Sequence, residues 1–165
     1  MGADLYIRSI TDKASEEFTP LFDIAVEMRH YFQEHGDKGR SDKAQDLVGY
    51  FYDAMYPKEG YFRDSYNGTS VFFNLGLSWW KDVGDMLNKK GNLSPTRCRK
   101  LIEMIEVREC RRLSAEELKE EGCQVDEAGL NSPEGWFEYY REKRLGLIGF
   151  LQRAADMKEY VHCSI

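Results

Sequence analysis

Three of the four prolines in this 165-residue chain directly follow Thr or Ser, in the pairs Thr19-Pro20, Ser94-Pro95 and Ser132-Pro133. A hydroxyl side chain is a favoured helix N-cap, and proline is well tolerated at the first helical position because its missing N–H would have no partner there. The pattern therefore predicts three helix starts. The fourth proline, Pro57, follows an amphipathic stretch and predicts a helix end.

Apolar residues recur at helical spacing after each of these starts and after Ser41, which predicts helices over about 20–35, 42–56, 95–110 and from 133 onward. The predicted buried stripes are Leu21, Ile24, Ala25, Met28 and Phe32; Ala44, Leu47, Val48, Phe51 and Met55; Cys98, Leu101, Ile102 and Ile105; and Trp136, Tyr140, Leu147, Leu151 and Ala154. Each stripe covers one helical face, as expected for helices that pack on a core.

Shorter helices are predicted from caps and glycines. Their signals are Thr69 or Ser70 with Gly76, Ser78 with Gly91, and a capping box of Ser114 and Glu117 with Gly122. Residues 122–131 are predicted to form a loop. The last helix contains Gly135, Gly146 and Gly149, which indicate close approach by another helix or a break.

Strand-forming residues lie at both ends of the chain. Leu5–Ile10 predicts a strand with Leu5, Ile7 and Ser9 on one face, and Tyr160–Ile165 predicts a second strand that pairs with it. The predicted fold is mostly α: a single compact bundle of five to six helices with a small two-stranded pairing of the N- and C-terminal segments. One domain over residues 1–165 is expected at this length.

The net charge and the lengths of the apolar segments argue against nucleic acid and membrane as partners. A net charge of −6 disfavours nonspecific binding to nucleic acid. The basic run of Arg97, Arg99, Lys100, Arg108, Arg111 and Arg112 is followed by Glu116, Glu117, Glu120 and Glu121, which offset it. No segment approaches the roughly 20 apolar residues of a membrane span, and no signal peptide is apparent. We therefore expect a cytoplasmic protein without a membrane partner.

The metal-ligating residues form no strong motif. Cysteines 98, 110, 123 and 163 include no C-x-x-C pair. Two E-x-x-H matches occur, Glu27–His30 and Glu159–His162, the spacing used by di-iron bundles. The first match lies on the first predicted helix and the second at the C-terminus, so the flanking ligands of such a site are missing. We expect no metal and no other cofactor.

Residues 56–80 hold eight of the 22 aromatic residues and the polar run 63–69. Rings beside turn-forming residues suggest a recognition surface, and the candidate binding residues are Tyr61, Phe62, Arg63, Asp64, Tyr66, Asn67 and Trp80. The alternative is an internal network in which Arg63 pairs with Asp64 and Asn67-Gly68 turns the chain. Helical spacing places Trp79 inward with Val83 and leaves Trp80 outward.

Four segments carry a resemblance to a known group of proteins: Gly2–Ile7 at the N-terminus, Gly60–Asn67 and Leu75–Trp80 in the middle, and His162–Ile165 at the C-terminus. Together they resemble an uncharacterised family of small bacterial and prophage-type proteins. The resemblance implies a phage or mobile-element setting, and it implies no activity, substrate or catalytic residue.

The expected function is that of a soluble, non-enzymatic interaction protein with a protein partner. The alternative is an enzyme or small-ligand-binding protein with a pocket around Arg63, Asp64, Tyr66 and Asn67. Catalytic residues stay unassigned, since no Gly-x-Ser-x-Gly elbow, phosphate loop or dinucleotide fingerprint is present.

Overall fold

The structure is a computed structural model that describes residues 2–66 and 68–165. It is mostly α-helical with a small strand pairing, as predicted, and the pairing is part of a four-stranded antiparallel sheet. The strands are β1 (Gly2–Ile7), β2 (Tyr61–Ser65), β3 (Asn92–Leu93) and β4 (Val161–Ser164); the α-helices are α1 (Arg8–Glu34), α2 (Lys38–Met55), α3 (Val71–Asn74), α4 (Pro95–Glu106), α5 (Ala115–Glu120) and α6 (Pro133–Asp156). A π-helical turn, Trp79–Val83, and a 3-10 turn, Gly84–Met86, lie between α3 and β3.

The chain separates into two compact units. The hairpin unit is Arg8–Tyr61, and the main unit joins the N-terminal residues up to Ile7 with Phe62–Ile165. The single domain over residues 1–165 stays a prediction.

The sheet of the main unit has the strand order β2-β1-β4-β3. The predicted pairing of the two chain ends is confirmed, with Leu5 opposite Cys163 and Ile7 opposite Val161. These four side chains are buried, because alternate residues of a strand point to one face. On the opposite face Tyr6 lies opposite His162.

Helices α4 and α6 pack against each other in the main unit. The predicted α4 stripe of Cys98, Leu101, Ile102 and Ile105 is buried throughout. On α6, Tyr140, Leu147, Phe150, Leu151, Ala154 and Ala155 are buried. The apolar spacing in these two helices therefore predicts their packed faces correctly.

The cap signals of the main unit are confirmed one by one. Ser94 and Ser132 accept hydrogen bonds from the N–H groups of Arg97 and Gly135, and proline occupies the first turn of each helix. Ser70 and Ser78 cap α3 and the π-helical turn in the same way. Both halves of the capping box at the start of α5 are formed.

In the hairpin unit, the helix start predicted at Thr19-Pro20 is wrong. Helix α1 begins at Arg8 and runs through Pro20 to Glu34, so Ser9 and Ile10 are helical rather than part of a strand. The Thr19 hydroxyl donates to Met55 Sδ at 3.3 Å instead of capping a helix. Packing of a 27-residue helix along α2 outweighs the hydrogen bond that proline removes.

The packed seam of the hairpin differs from the predicted stripes by about one residue. On α1 it contains Phe18, Phe22 and Ala25, because Phe18 stacks on Phe51 and Phe22 contacts Tyr52. Four predicted core residues, Leu21, Ile24, Met28 and Leu47, are exposed instead. Asp37, not Ser41, caps α2 and accepts from Arg40 N, which leaves Ser41 buried inside the helix.

Three other boundaries differ from the predictions. The helix after Ser78 ends at Met86 rather than Gly91, because Asn88 Oδ1 accepts from the N–H groups of Lys90 and Asn92 and turns the chain into β3. Helix α4 ends at Glu106, four residues early. The sheet has four strands where at most two were expected, since β2 lies in the aromatic-rich segment 56–80 and β3 lies at residues 92–93, where no strand was predicted.

Gly135 has a clear structural reason, which is not the helix–helix contact that was predicted. A Cβ at this position would lie 2.4 Å from the carbonyl oxygen of Leu130 and 2.5 Å from that of Gly129. The turn before α6 therefore rests directly on the helix backbone. A Cβ at Gly149 would meet nothing within 4 Å, so that glycine has no comparable explanation.

Pro20 provides a direct test of the α1 boundary. If α1 is continuous, Pro20→Ala restores a helical hydrogen bond and removes a ring clash, so we expect the free energy of unfolding to rise by about 2 kcal/mol. Urea unfolding followed by circular dichroism measures it, with Glu17→Ala as the exposed control on the same helix. A helix that starts at Pro20 would instead lose stability in the Pro20→Ala variant.

Candidate functional site

Asp64 belongs to the polar run 63–69, and the residue is buried in the main unit at 1 % exposure. It lies on β2 and accepts from the Ser70 hydroxyl at 2.6 Å and the Trp79 indole N–H at 2.8 Å. The backbone N–H groups of Val71 and Phe72 also donate to it, at 3.1 and 3.3 Å. The carboxylate thus binds the N-terminus of α3, where free N–H groups favour a negative charge.

Lys143 of α6 supplies the fifth donor and the counter-charge. Its ammonium lies 3.0 Å from Asp64 Oδ1 and 2.7 Å from the Tyr139 hydroxyl. Burial alone would lower the pKa of Lys143, but the Asp64 carboxylate and the Tyr139 hydroxyl raise it above its ordinary value. The pair is therefore a buried ion pair with hydrogen bonds on both partners, the arrangement that offsets the loss of hydration.

Both carboxylate oxygens of Asp64 accept hydrogen bonds from within the protein. Oδ1 accepts from Val71 and Lys143, and Oδ2 accepts from the remaining three donors. The internal network that the sequence offered as an alternative is therefore present, but with different partners. Arg63 does not pair with Asp64; its guanidinium lies 3.6 Å from Asp4 on β1.

Trp79 and Trp80 take the predicted orientations. Trp79 is 3 % exposed and stacks on Phe72 with ring centroids 3.8 Å apart, whereas Trp80 is 62 % exposed. Trp80 stacks on Tyr66 at 5.2 Å, and burial followed by the charge of Asp4 raises the pKa of Tyr66. The structure thus brings together Arg63, Tyr66 and Trp80 at the surface around Asp4.

The remaining candidate residues are Phe62, Tyr61 and Asn67. Phe62 is half-buried against Phe150 of α6, at a centroid distance of 6.2 Å. Tyr61 belongs to the hairpin unit and contacts Tyr56. Asn67 lies outside the described residues.

A cavity of about 690 Å³ that the sequence did not indicate lies beside the first turns of α6. Its lining residues come from the 129–132 turn, from α6 and from Thr69; they are Thr69, Gly129, Leu130, Asn131, Ser132, Glu134, Gly135, Trp136, Glu138, Tyr139 and Glu142. We call it the α6 cavity. Its volume falls within the range of small-molecule sites. Trp136 was predicted only as a core residue, and the 122–131 segment only as a loop.

The hairpin unit presents a second apolar surface. Leu21, Ile24, Met28 and Tyr31 are spaced by three, four and three residues on α1, and Leu47 and Tyr50 by three on α2. All six are exposed, including Ile24 at 54 % and Tyr50 at 64 %. We call these six residues the outer hairpin face.

The outer hairpin face is continuous across both helices. At 100° per residue, the exposed stripe of α1 lies about 100° around the helix axis from the packed seam of α1. The exposed stripe of α2 lies about 100° from its own seam, in the same direction of rotation when each helix is followed from its N-terminus to its C-terminus. In an antiparallel pair, the same sense places both stripes on one side of the hairpin. The contacts between the helices also bring the two stripes to the same height along the hairpin. Phe18 meets Phe51 and Arg29 bonds Gln45, which brings Leu21 near Tyr50 and Ile24 near Leu47.

Cys98 and Cys163, two of the four cysteines, are buried. Burial raises the pKa of Cys98 to about 11 and that of Cys163 to about 12, which keeps both thiols protonated. Among the described residues, no group of three or more His, Cys, Asp or Glu side chains is arranged to hold a metal ion. His162, from the second E-x-x-H match, lies on β4 and bonds Asn92 at 2.9 Å.

The comparisons with known proteins add no relative. No family model, curated protein or solved structure matches the chain. The resemblance to bacterial and prophage-type proteins therefore stays a prediction. Among the described helices, none combines the length and the apolar run needed to cross a bilayer.

Asp64→Asn tests whether the buried ion pair organises the main unit. The substitution leaves the Lys143 ammonium without its counter-charge, so we expect it to lower the free energy of unfolding by about 3–5 kcal/mol. Glu138→Gln, which breaks the exposed pair with Arg141, is the control and should cost less than about 1 kcal/mol.

The double variant Asp64→Asn, Lys143→Met removes both charges and should be more stable than Asp64→Asn alone. Urea unfolding of the three variants measures these differences. Equal and small losses for Asp64→Asn and Glu138→Gln would show that the pair does not organise the unit.

The raised pKa values predict a loss of stability in alkaline solution. A group that holds its proton more tightly when folded contributes stability that is fully present below its unfolded pKa and is lost as the pH rises through its folded pKa. For Cys98 and Cys163 this window runs from 9.0 to about 11 and 12, and the raised pKa of Lys143 acts in the same direction.

We therefore expect the free energy of unfolding to fall above pH 9.0, and Cys163→Ala to reduce that slope. Urea unfolding in reducing buffer, between neutral pH and about pH 11, measures it. A level profile over this range would contradict the prediction.

Proposed function

We propose that the protein is a non-enzymatic interaction protein whose main contact surface is the outer hairpin face, and that this face takes a second copy of the chain. The observation that carries the proposal is the continuous exposed apolar surface formed by both helices of the hairpin. Isolated exposed apolar residues are ordinary, but a patch built from two adjacent helices is typical of an interface.

The exposed area fits a protein–protein contact. The six side chains expose on the order of 600 Å², which is at the upper end of the largest patch on a typical monomer. A stable interface buries about 800 Å² on each partner, so these residues with their neighbours supply nearly the whole requirement.

The architecture favours a second hairpin as the occupant. A helix whose apolar residues cover two adjacent faces is typical of a bundle with more than two helices. Helix α1 uses one face against α2 and leaves the other, Leu21 to Tyr31, open. Two hairpins that meet face to face form a four-helix bundle, and the same patch on both copies gives a closed two-fold contact.

The predicted surface around Trp80 supports the same function as a second, smaller contact. Trp80 and Tyr66 stack on each other at the surface beside Arg63, and Trp, Tyr and Arg are the residues enriched at interface hot spots. The buried Asp64 network holds this segment in place. A rigid aromatic contact loses little side-chain entropy when a partner binds.

Light scattering during size-exclusion chromatography tests the pairing. At about 100 µM, we expect a mass of twice 19.3 kDa. Ile24→Glu places a charge in the centre of the contact. We expect it to raise the dissociation constant of the dimer about a hundredfold and to leave the helical content unchanged. Val107→Glu is the matched control, because Val107 is 79 % exposed and belongs to the main unit.

The wild-type protein and Val107→Glu should both elute as dimers, and Ile24→Glu as a monomer. A wild-type protein that stays monomeric at this concentration overturns the proposal. So does an Ile24→Glu variant that remains dimeric, because the contact would then lie elsewhere.

A further inference from the structure

The α6 cavity has two aromatic walls that are fixed from behind. The Trp136 indole N–H donates to the carbonyl of Gln124 at 2.9 Å, and its ring packs on the small core of Leu113, Leu118, Cys123 and Tyr140. Tyr139 meets Trp136 edge to face at a centroid distance of 5.3 Å. Its hydroxyl accepts from Lys143, which is itself held by Asp64. The two rings are therefore already in place before any ligand binds.

The 129–132 turn also lines the cavity, and hydrogen bonds hold it in place. Ser132 donates from both its N–H and its hydroxyl to the carbonyl of Gly129, at 3.1 and 2.7 Å. Asn131 and Asp126 bond each other through backbone and side chain, both at 3.1 Å. The turn rests on Gly135, where a Cβ would not fit. Leu130 at its tip adds an apolar side chain to the lining.

The charges of the lining all have one sign. Glu134, Glu138 and Glu142 line the cavity at intervals of four residues, which places them on one face of α6, and no Lys or Arg is among the described lining residues. Glu134 and Glu138 form exposed pairs with Arg112 and Arg141. Such pairs are weak in water and leave the carboxylates able to interact with a second cation.

Glu142 has no ion pair among the described residues within 4.0 Å. The Lys143 ammonium lies 5.0 Å from the centroid of the Tyr139 ring, and its charge is matched by Asp64.

From these features we infer that the α6 cavity binds an organic ammonium ion, a positively charged nitrogen carried on an apolar or aromatic body. The aromatic faces of Trp and Tyr attract such a cation, and a nearby carboxylate gives the charge a partner. The apolar body fits between the rings and Leu130. This site is independent of the pairing of hairpins, because every residue that lines it belongs to the main unit.

Three probes with the same phenyl body test the inference: 2-phenylethylammonium, the neutral 2-phenylethanol and the anionic 3-phenylpropanoate. Titration calorimetry on the full chain should give a Kd on the order of 100 µM for the ammonium probe, a value in keeping with its size. We expect the alcohol to bind at least about tenfold more weakly and the carboxylate more weakly still, because the lining is acidic.

Two carboxylate variants separate the site from the general charge of the protein. Glu142→Gln should weaken the ammonium probe by about three- to tenfold and leave the alcohol unchanged. Glu103→Gln, an exposed carboxylate on α4 outside the cavity lining, removes the same charge and should change neither. In NMR titrations the ammonium probe should shift the indole N–H signal of Trp136.

Equal affinities for the ammonium probe and the alcohol would overturn the inference, as would tighter binding of the carboxylate. No saturable binding of the ammonium probe by about 10 mM would overturn it too. Equal losses in Glu142→Gln and Glu103→Gln would show a nonspecific charge effect, and this also rejects the site.

Discussion

The Asp64–Lys143 ion pair is the interaction on which the main unit depends. One carboxylate binds the N-terminus of α3, the capping hydroxyl of Ser70, the indole of Trp79 and the ammonium from α6. Residues from β2, α3, the π-helical turn and α6 therefore meet at a single buried charge. An apolar residue in its place could fill the volume, but it could not fix the direction of five donors at once.

This network explains why an aromatic segment with little regular structure has a defined shape. From residue 68 to residue 83 the described elements are the short α3 and the π-helical turn, and each is too short to be stable alone. Asp64 accepts from the N–H groups of Val71 and Phe72, which have no partner within the helix because they lie at its N-terminus. Trp79 is fixed inward by its bond to Asp64, and Trp80 as its neighbour is left on the surface. The exposed ring is therefore a product of the buried charge.

Sequence patterns predicted the main unit well where the cause is local. The caps at Ser70, Ser94, Ser114 and Ser132 depend on residues three positions apart, and all four are formed. The stripe on α4 follows from spacing alone. The same reasoning failed at Thr19-Pro20, because the alternative to a new helix was continuation of a long helix whose packing on α2 is not written in the local sequence. The shifted seam of the hairpin has the same origin, since α1 carries apolar residues on two adjacent faces and spacing does not say which one meets α2.

The partner of Asp64 was unpredictable for a similar reason. Arg63 is adjacent in sequence, whereas Lys143 is 79 residues away, so nothing short of the fold identifies the lysine. The α6 cavity depends on the 129–132 turn, whose position is set by contact with Gly135. Its rings could be recognised in the sequence as apolar residues of a helix, but only the turn makes them walls of a cavity.

Lys143 has a further consequence for how this chain can change during evolution. Its ammonium holds the buried carboxylate and the hydroxyl of a cavity residue at the same time. A substitution there would alter folding and recognition together, so selection cannot adjust one without the other. Glu142, the adjacent residue, has no such second duty. Among descendants of this chain, substitutions should therefore be more frequent at the lining carboxylates Glu134, Glu138 and Glu142 than at Lys143.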